Sequence, residues 1–323
     1  MSKAAQVVIV GSYVQDQAWF VERFPRPGET LRANRYNTGP GGKGFNQAIA
    51  CARQGVATAF VGALGDDTFG TFAQKFAQDE HMPTRWQMRN DQPTATSSIT
   101  VNAKAENQIS MIFGANEHLD PAFVREQDDL FRAAKILLLQ LENNLDAIDA
   151  ALEMGRQHRL TCVLNPAPVH RDLSQQMLQG AHIITPNETE FSLLLERFAH
   201  EEADPATLAE RPDADLHTLA RKLGVGTVVI TLGSRGCFVS HGENARGDAD
   251  THYRLQPEKV TAIDTTGAGD AFSGALVAGL IRLKEQPFRN TVVHANRAAA
   301  MSTEIVGTAP AMPTLAEVTK RFG

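Results

Sequence analysis

Cysteine is scarce: Cys51, Cys162 and Cys237 are the only three in 323 residues. They are odd in number and far apart. They match neither a zinc-ligand spacing nor the disulfide framework of a small secreted domain, so a reducing cytoplasm is the expected compartment. Basic runs are absent and the formal net charge is −6. That argues against a nucleic-acid partner but leaves room for a small anion in one local pocket. The apolar run at 7–10 is too short for the core of a secretion signal or a membrane span, so no membrane partner is expected. The ten histidines contain no pair at ligand spacing, which removes the usual histidine-built metal centre. No internal repeat is evident. With 42% hydrophobic and 21% charged residues, the chain has the composition of an ordinary globular protein, long enough for one large α/β domain or two small ones.

The most informative stretch runs from Asp264 through Thr266, Gly267, Ala268 and Gly269 to Asp270. An apolar helix-forming run follows at once. Small residues let the backbone turn sharply and approach a ligand. The first N–H groups of a helix converge there with partial positive charge, a ready anion site. Asp270 at its edge can take a proton from a hydroxyl. The same residues also read as a plain glycine turn with Asp270 as helix N-cap.

Taken in order, 6–10 is a buried parallel strand ending at Gly11-Ser12. Residues 13–37 break into short alternating pieces around Pro25, Pro27 and Gly28 and read as a small β-excursion, with Asp16 at its start. The stretch Gly39 to Gly44 fits a G-x-G-x-x-G pattern but lacks a directly preceding buried strand, and Lys43 is followed by Gly44, not Ser or Thr. It is therefore neither a dinucleotide fingerprint nor a Walker A loop. A loop approaching a polyhydroxyl ligand, with Lys43 and Asn46 as donors, and a plain turn into a helix at 46–54 both remain open. A strand at 58–61, a loop at 62–70 and a helix at 71–78 follow, then a hairpin over 95–113 with a polar turn at 105–107. The run 134–141 is a buried strand ending in Glu142, where parallel sheets place ligands. A helix at 146–157 and strands at 161–164 and 181–185 come next.

Asn187 and Glu190 are three apart, suited either to a hydrated Mg²⁺ or to a helix capping box. Residues 196–215 read as a surface excursion without a clear period. A strand at 227–231 precedes Leu232-Gly233-Ser234-Arg235-Gly236 and an antiparallel turn-back at 237–239. Short strands are expected at 252–255 and 259–263. Helices at 268–283 and 288–303 follow, then a Gly/Pro loop at 305–313.

Jointly, in order and at these spacings, these motifs resemble the ribokinase (PfkB-type) family of carbohydrate kinases over nearly the whole chain. The motifs are Gly11-Ser12 with Asp16, Gly41-Gly42-Lys43-Gly44 with Asn46, Gln140-Leu141-Glu142, Asn165 to Pro168, Thr185 to Glu190, Thr231 to Gly236 and Asp264 to Asp270. The resemblance implies a single three-layer α/β/α domain with a small β-sheet lid, about 13–38 and 95–114, that serves as a homodimer contact. It implies an ATP-dependent kinase acting on the 5-hydroxyl of a pentose, with Asp270 as base and Gly267, Ala268 and Gly269 as anion hole. Ser12, Val14, Asp16, Gly41, Gly42, Lys43, Asn46 and Glu142 would surround the sugar. Asn187, Thr231, Leu232, Gly233, Ser234, Arg235, Gly236 and Asn296 would hold the nucleotide. Glu190 would act in the Mg²⁺ shell. Asp264, Thr266, Ser302, Ile305, Gly307 and Ala311 match the positions of a monovalent-cation site, usually K⁺, although Ala311 lacks the hydroxyl often found there.

Two departures stand out. Val14 replaces a hydrogen-bonding Asn, as in deoxyribokinases, so the substrate is D-ribose or 2-deoxy-D-ribose. Phe45 replaces a small residue and either packs under the loop or narrows the sugar pocket. Competing readings are a nucleoside or hexose kinase of the same fold, a nicotinamide-dependent oxidoreductase using Gly39 to Gly44, and a sugar-binding module without catalysis.

Overall fold

The computed structural model describes residues 4–104 and 106–323; Ala105, in the expected hairpin turn, lies outside them. The chain opens with β1 (Val7–Val10), the strands β2 (Val14–Phe20) and β3 (Arg35–Gly41), then α1 (Lys43–Arg53), β4 (Thr58–Gly65), α2 (Thr68–Asp79) and β5 (Thr84–Arg89). The hairpin β6 (Thr96–Val101) and β7 (Asn107–Ile112) leads through α3 (Pro121–Glu126) and α4 (Asp128–Ala133) to β8 (Ile136–Leu139). Next come α5 (Leu145–Gln157), β9 (Thr161–Leu164), α6 (Gln175–Gln179), β10 (Ile183–Ile184), α7 (Glu188–Ala199), α8 (Pro205–Leu208), α9 (Asp213–Lys222) and β11 (Thr227–Thr231). The strands β12 (Cys237–His241) and β13 (His252–Leu255) precede α10 (Ala268–Arg282), α11 (Phe288–Ser302) and α12 (Leu315–Phe322).

Nine strands form one sheet in the order β13-β12-β11-β10-β9-β8-β1-β4-β5. It is parallel from β5 to β11, and β12 and β13 run antiparallel at one edge. Its strands alternate between two cores. Val8, Val10, Leu137 and Leu139 face one cluster with α5, α7 and α9. Val7, Ile9, Ile136 and Leu138 face the other, with α1, α2, α10 and α11. Burial on both faces explains the unbroken Val/Ile/Leu runs and yields three layers, α/β/α. From β1 the chain moves to one side through β4 and β5, and from β8 it moves to the other. The seam between β1 and β8 is therefore the topological switch point, where such sheets place ligands beyond their C-terminal strand ends.

A second sheet, ordered β3-β2-β6-β7, stands on that end of the molecule. It joins the two expected β-excursions by parallel pairing of β2 with β6. The helix α1 leaves this small sheet with only Gly42 between it and β3.

Several expectations change. The loop expected from 62 is strand as far as Gly65, because Gly62–Gly65 pair with Trp86–Arg89 of β5, an edge strand that the sequence pattern hid. The region 196–215 is not one irregular excursion: α7 runs to Ala199, and Asp204 caps α8 ahead of Pro205. Residues 259–263 form no strand despite their β-branched composition. The N–H groups of Ile263 and Asp264 bond the Thr303 carbonyl at the end of α11, at 2.7 and 3.0 Å, and Thr261 N–H bonds the Glu304 carboxylate. These bonds take the place of a ladder. No described helix is long and apolar enough to cross a membrane.

Candidate active site

The backbone at Gly42 has φ of 86°, and a Cβ there would lie 2.7 Å from Val14 N and 2.9 Å from the Tyr13 carbonyl carbon. Glycine is required on both counts. This close pass lets the start of α1 reach the end of β1. Glu142, just beyond β8, locks it there: its Oε2 accepts from Ser12 Oγ at 2.6 Å and from Lys43 N at 2.9 Å. Below the turn, Phe45 is fully buried among Tyr13, Phe60, Phe76 and Trp86, with ring centroids 5.2 to 6.2 Å apart. It packs under the loop.

The first turn of α1 carries its polar side chains across to α10. Asp270 is only 6% exposed. Its Oδ2 accepts from Asn46 Nδ2 and its Oδ1 from Gln47 Nε2, each at 2.9 Å. At the turn before it, Gly267 takes φ of 77° as N-cap of α10. Asp270 is therefore not the cap. The N–H groups of Gly267 and Gly269 have no partner among the described residues, whereas Ala268 N–H bonds the Thr265 carbonyl at 3.2 Å. The turn thus presents an anion site beside a carboxylate.

Charge is concentrated around this point. Burial works against the ammonium of Lys43, yet the carboxylates of Asp270, Glu142 and Glu190 outweigh it and its pKa is raised. Burial is the main reason that Glu142, Asp16 and Glu190 all sit above the usual carboxylate range, with Asp270 adding repulsion to each. Perturbed acids around one half-buried lysine make this a candidate functional centre.

Asp16, on β2, is tied to Ser97 on β6 at 2.6 Å and lies 3.4 Å from Thr308 Oγ1. Thr308 also donates to the Pro40 carbonyl at 2.9 Å, joining the small sheet to the loop after α11. A cavity of about 670 Å³ opens between that sheet and the loops 262–266 and 306–310, with Asp16, Asp264 and Thr266 in its wall. Asp264 links these loops: its Oδ1 accepts from Thr266 N and its Oδ2 from Gly307 N. Val14 is buried, and by strand alternation its side chain shares a face with Asp16.

The remaining expected residues line a neighbouring rim. Asn187 and Glu190 form a reciprocal capping box, with bonds of 2.8 and 2.9 Å. Asn187 bridges in parallel to Thr231, where the loop Leu232 to Gly236 begins. Arg235 in that loop pairs outward with Glu210 at 3.1 Å. Gly236 lies against the Leu255 carbonyl, and Asn296 Nδ2 donates to the next carbonyl, Gln256 O, at 3.0 Å. The loop and Asn296 thus share one edge. Ser302 and Ala311, two of the residues expected at a cation site, are buried, and Ile305 is exposed.

The sequence assigned no role to Gln47, Ser97 or Thr308, which bond Asp270 or Asp16, and quoted Gln140 only within a motif; Gln140 bonds Gln47. The signal for Gln140 was present: it is an amide inside an otherwise apolar buried run.

The model of the pfkB family of carbohydrate kinases matches residues 4–315. The chain belongs to this family. A ribokinase of Haemophilus influenzae is 35% identical over 312 residues, covering 96% of each chain. A deoxyribokinase of Salmonella typhimurium is 29% identical over 276 residues, covering 83% of each. The structure of an Arabidopsis thaliana ribokinase complexed with ribose and ATP superposes with a TM-score of 0.84 at 25% identity, covering 98% of both chains. Membership of this kinase family excludes the nicotinamide-dependent reading of Gly39 to Gly44.

Proposed function

We propose that this kinase transfers the terminal phosphoryl group of ATP to the 5-hydroxyl of a pentose, D-ribose or 2-deoxy-D-ribose. The observation that carries the reading is the buried Asp270 carboxylate, held by two amide donors beside the turn at 267–269. As the hydroxyl oxygen attacks phosphorus, Asp270 accepts its proton. The N–H groups of Gly267 and Gly269 hold the charge on the transferred group, and Ala268 N–H joins them by releasing Thr265. Ser12, Asp16, Gly41, Gly42, Lys43, Asn46 and Glu142 orient the sugar, with Val14 facing it as an apolar wall. Thr231 to Gly236, Asn187 and Asn296 hold the nucleotide.

The residues present fit both ions that the family reading implies. No cluster of three acidic, His or Cys ligands occurs among the described residues, so Mg²⁺ would be carried by phosphates and water with Glu190 in its outer shell. The Asp264 carboxylate draws the loops of Thr266 and Gly307 together, where backbone carbonyls would receive K⁺. Bound Mg²⁺ would neutralise phosphate charge, and K⁺ would stabilise the loop next to the anion turn. The reading extends to a cytoplasmic enzyme that dimerises through the lid.

The deciding assay measures ADP release with D-ribose and 2-deoxy-D-ribose, in Mg²⁺ with and without K⁺. Turnover with at least one pentose is expected, with loss by about 10²-fold or more in Asp270→Asn. Silence with both pentoses and turnover with a nucleoside or hexose would replace this substrate assignment.

A further inference from the structure

Gln47 is fully buried, and every polar atom of its side chain is used. Its Nε2 donates to Asp270 Oδ1 at 2.9 Å and to Asn165 Oδ1 at 3.0 Å. Its Oε1 accepts from Gln140 Nε2 at 2.6 Å. Asn165 spends its own amide group on the Thr185 carbonyl at 2.9 Å, so its Oδ1 can only accept. These partners fix which way the Gln47 amide faces. Turned over, its oxygen would oppose two acceptor oxygens, and its NH₂ would oppose the NH₂ of Gln140.

The arrangement carries a cost. Gln140 Oε1 is buried without a partner among the described residues, next to the Cα of Gly11. An unbonded buried acceptor is unfavourable, and an apolar side chain of the same shape would avoid it. A polar residue that conflicts with local stability is expected where function requires it. Here the requirement is the one N–H that Gln140 gives to Gln47.

We propose that Gln47, held by Gln140, is a positioning residue for the catalytic base: it fixes the plane of the Asp270 carboxylate so that the remaining lone pairs face the acceptor hydroxyl. The inference rests on Asp270 being the base. Asn46 holds Oδ2, and its own Oδ1 is buried and still unpartnered among the described residues. Gln47 holds Oδ1 from the closed side, where no substrate can reach. Two donors on two oxygens define the orientation, and either alone would leave the group free to twist.

The test is a steady-state pH profile of Gln47→Met, which keeps the volume and removes the donor. The expected result is a fall in kcat of about tenfold or more, with KM for sugar and ATP within about threefold. The acid limb of kcat/KM moves to higher pH, because the lost N–H favoured the ionised carboxylate. The charged groups that face Asp270 are Lys43 from α1, Glu142 after β8, Glu190 from α7 and Asp16 from β2. All are retained, so the limb reports the missing donor. Gln47→Glu keeps the shape and replaces the donor with a carboxyl, and moves the limb further in the same direction. Gln140→Met gives a smaller shift of the same sign. A lower melting temperature with kcat and acid limb unchanged would make Gln47 a packing residue and overturn the proposal. If Gln47→Met does not fold, Gln140→Met decides by the same criteria. Asp270→Asn is measured alongside. Surviving turnover there defeats the base assignment, whereas its loss with an unmoved Gln47→Met profile defeats only this inference.

Discussion

Val14 and Phe45, the two residues that depart from the family pattern, have opposite fates in the structure. Phe45 is a core residue: its ring sits edge-on to Tyr13 and Phe60 and tilted against Trp86. Phe45→Ala is expected to cost about 3–5 kcal/mol of stability, because a cavity opens in a packed aromatic cluster. Thermal or urea unfolding checks it, with the preference between pentoses unchanged. Val14 is buried too, but on the face of β2 that carries Asp16. Val14→Asn is expected to raise the ratio of kcat/KM for ribose over 2-deoxyribose by about tenfold or more, since an amide donor at that wall rewards an additional hydroxyl. Without sugar, the same variant should unfold at lower temperature, as its amide is left without a partner.

At the scale of elements, the site is made where α1 meets α10. A Cβ at Gly274 would lie 2.4 Å from the Gln47 carbonyl oxygen and 2.5 Å from Ala50 Cβ, so only glycine lets the two helices approach this closely. Gly274→Val is expected to push them apart, stretch both bonds to Asp270, and reduce kcat more than an equal loss of stability elsewhere would. Comparing kcat with the melting temperature against Phe45→Ala, which spares this contact, separates the two effects.

Much of this was legible in the chain. The small-residue turn at 267–269, the buried strands and Glu142 beyond one of them follow from local pattern alone. Other features were not. The pairing of β2 with β6 joins residues about eighty apart, which no local periodicity encodes. The bond from Gln47 to Asp270 spans 223 residues, and only the packing of two glycine-bearing helices reveals it. Asn187 and Glu190 fitted two readings because a capping box and an ion shell use the same spacing. The structure adopts the box while leaving Glu190 within the field of Lys43.

Across the whole molecule, the small sheet leaves an apolar patch uncovered. Ile109 is 55% and Met111 41% exposed on neighbouring alternate positions of β7, above the half-buried Ile99 and Val101. Such a patch on an outer strand fits a second copy of the chain. Light scattering is expected to find a dimer. Ile109→Asp should shift it to monomer without loss of secondary structure; a monomeric parent protein would remove this assembly.

The passage from β3 to α1 has one further consequence. Strand β3 of the small sheet ends at Gly41, the helix begins at Lys43, and that helix holds both oxygens of Asp270 within its first turn and a half. The small sheet is thus the long arm of a lever whose fulcrum is a single residue, and its short arm grips the carboxylate proposed as the base. A small sheet transplanted from a relative would bring its own tilt to that fulcrum. For anyone recombining parts of these enzymes, the natural cut is therefore inside α1, beyond Gln47, and not at the visible edge of the small sheet.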